Sequence, residues 1–375
     1  MNPIRVLVVD DSDSARALIR ALVEEDPRLT ICGEAINGRE AVEQVLTLKP
    51  NIITMDLQMP EMDGMTAIEE IMAVRATPIL VLSDLADARH AMSAVARGAL
   101  EATGKPTIDD GATLTARLRM LAGVPVIRHI RRTHDATPGL IIPPAGEAHT
   151  GLPGALPPGP LAGEGWGRGA ATLPSAPLAG RVFAIASSTG GPQALARILP
   201  MLPANFPAPV LIAQHLSDGF AEAMAGWLND LCPLTVTVAR AGEPLRPGYI
   251  YLADPVTHLS LMPDDRIRLI PRTETDIYHP NCDRLLSSVA EVCGQRAVGV
   301  ILTGMGRDGA RGMLDIRRAG GVTIAQDESS SVIFGMNREA IAAGGVQTIR
   351  PLDAIASELI WLARVAPTRA GEVGS

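Results

Sequence analysis

Along the first part of the chain, apolar and polar positions repeat one unit. A short apolar run meets an abrupt polar stop, and a stretch with helically spaced apolar residues follows. Ile4–Val9 is the first run and stops at Asp10 and Asp11. Ala15, Leu18, Ile19, Leu22 and Val23 then keep helical spacing, with Ser12 or Asp13 available as the cap. A second cycle runs from Ile31 through Gly33 into a helix carrying Ala41, Val42, Val45 and Leu46. Ile52–Met55 ends at Asp56, Pro78–Leu82 ends at Ser83, and Lys105-Pro106 closes a weaker fifth cycle. Leu114, Leu118 and Leu121 mark a last helix. Short apolar strands alternating with amphipathic helices predict an α/β domain, a five-stranded parallel sheet with helices on both faces.

The alternation resumes at Arg181. Val182–Ala186 reads as a buried strand that stops at Ser187, Ser188 and Thr189. Gly190, Gly191 and Pro192 then start a helix through Leu195, Ile198 and Leu199. A hydroxyl on such a turn is exposed and has helix-terminal amides near it, which suits a nucleophile; a phosphate cradle or a simple cap fits the same stretch. Val210–Ala213 leads to Gln214-His215, and Val298–Leu302 leads to T-G-M-G-R-D-G-A at 303–310. Ser188, His215 and Asp308 therefore all follow the carboxyl ends of predicted parallel strands, where open α/β sheets bind ligands. A serine needs a base and the base needs an orienting acid, so the three residue types are chemically matched. His258 and His279 compete with His215 for the role of base. Gly304, Gly306 and Gly309 around Met305 would let backbone amides approach an oxyanion. The second domain is thus expected to be doubly wound and mostly parallel.

Between the two halves, Pro138–Gly180 holds 19 prolines and glycines in 43 residues, too many for a packed core. The expected division is a first domain at 1–124, a flexible linker at 125–180 and a second domain at 181–370. A flexible stretch the length of Pro138–Gly180 spans roughly 35–40 Å end to end. Trp166 reads as a stray aromatic within it, and Arg128, Arg131 and Arg132 as a solvated basic cluster. A net charge of −8 gives no general case for nucleic-acid or membrane-surface binding. The four cysteines are scattered with no C-x-x-C pair, as expected of reduced thiols in the cytoplasm. The N-terminal run turns acidic too soon for a signal peptide, and no apolar stretch approaches the ~20 residues that span a bilayer. A soluble cytoplasmic monomer is expected.

In the first domain, Asp10, Asp11 and Asp56 converging at strand ends would repel one another without a cation, and Mg²⁺ suits carboxylate oxygens. A hydroxyl and a lysine beside them, Ser83 and Lys105, are what a phosphoryl group requires. With V-V-D-D-S at 8–12, D-L-Q-M-P-E-M-D-G at 56–64, V-L-S at 81–83 and K-P at 105–106, this domain resembles the receiver domains of bacterial two-component systems, which are flavodoxin-like. The resemblance implies that Asp56 accepts a phosphoryl group from a histidine kinase. It places Mg²⁺ on Asp10, Asp11, Asp56 and the carbonyl of Gln58, with Ser83 and Lys105 as switch residues. Ala102 stands where receivers usually carry an aromatic ring, and Asp84 where they carry a small residue.

The second domain resembles the catalytic domain of the CheB family of chemotaxis receptor methylesterases. The shared pieces are I-A-S-S-T-G-G-P (185–192), A-Q-H (213–215), G-E-P-L-R-P-G-Y-I-Y (242–251), L-T-G-M-G-R-D-G-A-R-G-M (302–313) and F-G-M (334–336). The resemblance implies Ser188 as nucleophile, His215 as base, Asp308 as orienting acid, and the amides of Met305 and Thr189 for the oxyanion. Ser187 and Asn337 depart from the family pattern without touching that set. The implied activity is hydrolysis of glutamyl methyl esters on methyl-accepting chemotaxis receptors, with deamidation of receptor glutamines by the same route and no cofactor for the esterase step. In the family the unphosphorylated receiver covers the active site, and the long linker is expected to loosen that hold. The competing class is a phospho-regulated receptor-binding module without catalysis. A DNA-binding output is disfavoured because no basic recognition helix is evident after residue 181.

Overall fold

A computed structural model of the chain describes residues 2–126 and 180–365. The predicted linker, with Trp166 and the Arg128–Arg132 cluster, lies outside the described residues, apart from its two ends.

The first domain alternates strictly. Its elements are β1 (Ile4–Val9), α1 (Asp13–Glu24), β2 (Leu29–Ala35), α2 (Gly38–Leu48), β3 (Ile52–Met55), α3 (Gly64–Arg75), β4 (Ile79–Ser83), α4 (Ala88–Ala96), β5 (Glu101–Gly104) and α5 (Gly111–Ala122). All strands pair in parallel, in the order β2-β1-β3-β4-β5. Three helix starts carry side-chain caps: Ser12 accepts from Ala15, Asn37 from Glu40 and Asp63 from Thr66. β3 and β4 are buried at every position, as strands covered on both faces must be. The winding reverses between β1 and β3, so Asp10, Asp11 and Asp56 emerge side by side.

The second domain comprises β6 (Val182–Ser187), α6 (Gly191–Ile198), β7 (Val210–Gln214), α7 (Ala221–Leu231), β8 (Thr235–Val238), β9 (Tyr249–Leu252), β10 (Thr257–Leu261), β11 (Ile267–Pro271), α8 (Cys282–Cys293), β12 (Ala297–Ile301), α9 (Ala310–Arg318), β13 (Val322–Gln326), α10 (Met336–Ala342), β14 (Thr348–Arg350) and α11 (Leu352–Arg364). Seven strands form one parallel sheet in the order β14-β13-β12-β6-β7-β9-β8. β10 and β11 stand apart as an antiparallel ribbon that the apolar pattern did not announce. β6, V-F-A-I-A-S, is wholly buried at the centre of the sheet. Burying a Phe or Ile side chain stabilises by about 1.5–3 kcal/mol, so this strand anchors the domain. The chain leaves β6 toward β7 on one side and returns as β12 on the other, which puts the crevice at the end of β6.

The two domains pack together as one compact unit. Ala88, Ala91, Met92 and Val95 of α4 join the same apolar cluster as Phe220, Met224 and Trp227 of the second domain. Gln193 of α6 donates its amide to the carbonyl of Ala99 at 2.7 Å. Arg89 lies against Gly226, where a Cβ would stand 2.4 Å from its guanidinium.

Candidate functional site

The sharp turn after β6 carries Ser188. Gly190 adopts a φ of +78° there, which a side chain would strain, and α6 starts at once behind it. The Ser188 amide donates to the Thr303 carbonyl at 3.0 Å, and its carbonyl accepts from Gly191 at 2.7 Å. Ser188 keeps partial exposure, while Ser187 is fully buried and donates its hydroxyl to Gln214 Oε1 at 2.6 Å. That separates the adjacent serines: one is consumed by the core and the other faces the cleft.

His215 follows β7 and its amide donates to the Ser187 carbonyl at 3.0 Å. Its Nε2 lies 2.8 Å from Asp308 Oδ2, in the loop after β12. With Asp308 on Nε2, the ring nitrogen left to accept a proton is Nδ1. Asp308 is 1% exposed, and its carboxylate also accepts from the amides of Cys282 (2.7 Å) and Asp283 (2.9 Å) at the N-terminus of α8. Burial pushes its carboxyl up, but the hydrogen bond and charge of His215 and the two amides outweigh it and hold Asp308 below the ordinary value. The Cys282 thiol sits 3.6 Å from His215 Nε2, and burial raises it well above the usual range.

The other two histidines sort themselves by their partners. His258 is fully buried, with Nε2 3.1 Å from Asp276 and Nδ1 accepting from the Asn281 amide at 3.0 Å, so both nitrogens are committed. His279 lines the cleft, but no carboxylate is hydrogen-bonded to it, its Nδ1 has no partner among the described residues, and burial lowers its basicity. Of the three, only His215 pairs with a carboxylate while lining the same cavity as Ser188.

The Ser188 hydroxyl makes no hydrogen bond among the described residues, a looseness common before substrate binds. The amides of Thr189 and Met305 likewise have no protein acceptor there, and both residues line the same cavity, about 940 Å³, as Ser188 and His215. Gly304 makes this approach possible: a Cβ on it would lie 2.7 Å from that of Ser188 and 2.3 Å from the Met336 sulfur.

Two residues with no role assigned from sequence complete the site. Gln214 is buried, and its Nε2 donates to the carbonyls of both Ser188 (2.9 Å) and His215 (2.8 Å), tying the two loops together. Tyr278 stacks on the His215 ring, centroids 5.2 Å apart and planes 10° apart.

In the first domain, Asp10, Asp11 and Asp56 each offer an oxygen within 4.8 Å of the others, a donor set that fits a hard divalent ion. Lys105 Nζ lies 2.9 Å from both Asp10 and Asp56. Burial raises the Asp56 carboxyl and Asp10 adds to it, against the opposing pull of Lys105; the net shift is upward. Lys105 is itself raised by the two carboxylates despite its burial. Gln58 is exposed on the same loop, its amide 3.5 Å from Asp56 Oδ1. The Ser83 hydroxyl is not hydrogen-bonded into this cluster; it donates to the Asp84 carbonyl at 3.4 Å. Ala102 forms part of the cavity wall against the second domain.

The fold and the two sites define a response regulator whose output domain is an α/β domain with a serine, an imidazole and a carboxylate at one crevice. Family models agree at both halves: a response regulator receiver domain matches residues 6–119, and CheB methylesterase matches 183–359. A protein-glutamate methylesterase/protein-glutamine glutaminase of Paramagnetospirillum magneticum is 46% identical over 360 residues, covering 95% of each chain. One from Anaeromyxobacter dehalogenans is 38% identical over 370 residues, covering 96% of this chain and 98% of the relative. The crystal structure of the Thermotoga maritima CheB methylesterase catalytic domain is 37% identical, covers 49% of this chain and all of that one, and has a TM-score of 0.48. The chain belongs to the CheB methylesterase family. Among the described residues no helix is long and apolar enough to cross a membrane.

Proposed function

We propose that this chain is a phosphorylation-regulated protein-glutamate methylesterase that also deamidates glutamine, acting on methyl-accepting chemotaxis receptors. We take 1–124 as the receiver, 125–180 as the linker and 181–370 as the catalytic domain. The observation that carries the reading is the Asp308–His215 pair at 2.8 Å, which follows the strands on either side of β6, the strand that leads into Ser188. A binding module has no use for a carboxylate held low behind an imidazole.

Ser188 Oγ attacks the ester carbonyl carbon and His215 Nδ1 takes its proton. Asp308 steadies the imidazolium through Nε2–H. The amides of Met305 and Thr189 hold the oxyanion, and removing one such donor typically costs about 10²–10³-fold in rate. The protonated Nδ1 then gives its proton to the leaving methoxy oxygen, and methanol departs. Water, activated by the same nitrogen, hydrolyses the acyl-serine and leaves a glutamate. With a glutamine substrate the leaving group is ammonia and the steps are otherwise the same.

In the receiver, Asp56 accepts the phosphoryl group from a chemotaxis histidine kinase. Asp10, Asp11, Asp56 and the Gln58 carbonyl would hold Mg²⁺, which would supply charge neutralisation for the phosphoryl oxygens. Lys105 contacts Asp56 directly and is placed to follow its change of charge; Ser83 would join by turning from the Asp84 carbonyl. The apolar contact of α4 with α7, and the shared cavity over Ser188, support inhibition by the docked receiver.

The test is methanol release from methylated receptor membranes, with and without acetyl phosphate and Mg²⁺. Release that needs Ser188, and stimulation that needs Asp56, are the expected results. Absence of methanol with several receptors under every condition would return the second domain to the binding class.

A further inference from the structure

The receiver sends one carboxylate to the edge of the catalytic cleft. Glu101 opens β5, and its Oε2 accepts from the Thr189 hydroxyl at 3.4 Å. Its Oε1 lies 3.2 Å from Arg117 Nε on α5. Arg117 donates in turn to the Ser217 hydroxyl at 3.3 Å, which also pairs with the Thr103 hydroxyl at 2.8 Å. Thr189 follows the proposed nucleophile and Ser217 lies just beyond His215, so these receiver groups touch both catalytic loops. Glu101 and Arg117 retain 23% and 25% of their side-chain exposure and line the same cavity as Ser188 and His215.

Two chemical facts single Glu101 out. A carboxylate drawn partly out of water needs a counter-charge, and Arg117 provides it 3.2 Å away. Glu101 is also the group that the reaction makes, since both ester hydrolysis and deamidation leave a γ-carboxylate on a two-methylene stem. We propose that Glu101 is an intramolecular product mimic. In the docked receiver its side chain occupies the part of the cleft that takes the substrate's glutamyl group, with the Thr189 hydroxyl as the donor that reads its oxygen. This rests on the reading of the second domain as a glutamyl esterase. It assigns inhibition to competition for the substrate's own pocket, beyond simple coverage.

An inhibitor tethered in this way raises the apparent KM and leaves kcat alone. Replacing the acid by its amide converts the mimic into a deamidation substrate. Ser188 Oγ then bonds to the amide carbon, the C–N bond breaks with ammonia leaving, and water releases the carboxylate from the acyl-serine.

The experiment uses the full-length unphosphorylated protein and a glutamyl methyl ester peptide. Glu101→Ala is expected to lower KM about 10- to 100-fold, the scale of one hydrogen bond to a charged group, with kcat held. Glu101→Gln, incubated and digested, is expected to acquire the mass of an acid at that position, and to keep its amide when combined with Ser188→Ala. Circular dichroism checks that each variant folds. A wild-type KM in Glu101→Ala, in a protein whose ester cleavage is measurable, overturns the proposal. So does an equal fall in KM from Arg89→Ala, whose 3.9 Å pair with Asp230 spans the same interface, if the amide at 101 stays intact. If the wild-type protein cleaves no ester even with acetyl phosphate, the esterase reading itself fails and the mimic falls with it.

Discussion

The receiver corner and the catalytic corner share an architectural device and differ in how they handle charge. In each, a parallel sheet reverses its winding and side chains beyond neighbouring strand ends converge. The receiver gathers three carboxylates near one ammonium, and burial, with Asp10 adding to it, holds Asp56 above the ordinary carboxylate value. The catalytic corner gathers one buried carboxylate, wrapped by two helix-terminal amides and an imidazole, and Asp308 is held below it. Surplus charge leaves the first corner receptive to a cation and a phosphoryl group. In the second the charge is already spent on orienting a base. One topology therefore serves regulation or catalysis according to how many carboxylates it collects and what compensates them.

The sharpest way to break the comparison is to remove the group that only the catalytic corner owns. Ser188→Ala is expected to lower kcat for ester hydrolysis by about 10⁴-fold or more, while phosphorylation of Asp56, followed with radiolabelled acetyl phosphate, continues. Loss of both would show that the corners are not separable. Asp308→Asn comes next, with a fall in kcat of about 10³–10⁴-fold, because an amide no longer enforces the tautomer that leaves Nδ1 free. A rate within tenfold of wild type would place the orienting acid elsewhere.

Gln214→Leu is expected to cost about 10- to 100-fold in kcat, with KM little changed. It frees the carbonyls of Ser188 and His215 and orphans the Ser187 hydroxyl, a loss of alignment rather than of chemistry. Equal activity would mean that backbone pairing alone sets the two loops.

The smallest effect carries the comparison itself, because the two corners should respond with opposite signs. Asp308 has a folded pKa below its ordinary value of 3.8, so the stability it contributes is complete above that value and is lost as pH falls through the folded pKa. Asp56 has a folded pKa above 3.8, so its ionisation costs stability once the pH exceeds that value. At neutral pH, without Mg²⁺, Asp308→Asn should lower the melting temperature and Asp56→Asn should raise it, by about 2–4 °C per kcal/mol. Both differences should shrink below pH 3.8. Shifts of the same sign in calorimetry would remove the electrostatic distinction drawn here.

Much of this arrangement was legible in the chain. Asp10, Asp56, Ser188 and His215 could be placed because uniformly apolar parallel strands stop abruptly, and their ends share one edge of a sheet. Asp308 was harder, since a glycine-rich loop separates it from β12. What was not legible came from elements that touch only in three dimensions. Tyr278, from the segment before α8, and the amides of Cys282 and Asp283, at its N-terminus, carry no local signal of their destination. Gln214 reads as an ordinary strand end until its burial and three hydrogen bonds are seen. His258 and His279 could not be told from His215 by residue type; their partners, or lack of them, make the difference. The β10–β11 ribbon escaped because Pro244–Pro271 shows no clean alternation.

The position of β6 has a consequence for how the protein is made. A receiver closed by α5 can fold once its own residues have left the ribosome, since its sheet uses neighbouring segments. The catalytic sheet cannot, because β6 must wait for β12, more than a hundred residues later, to cover its second edge. With translation at about 5–20 residues per second, the central strand stays half-paired for several seconds, exposed to chaperones and proteases. A chain terminated before Ala297 would carry the whole Asp10, Asp11 and Asp56 cluster and no Asp308. On the proposed function such a fragment would still accept phosphoryl groups and could hydrolyse no ester.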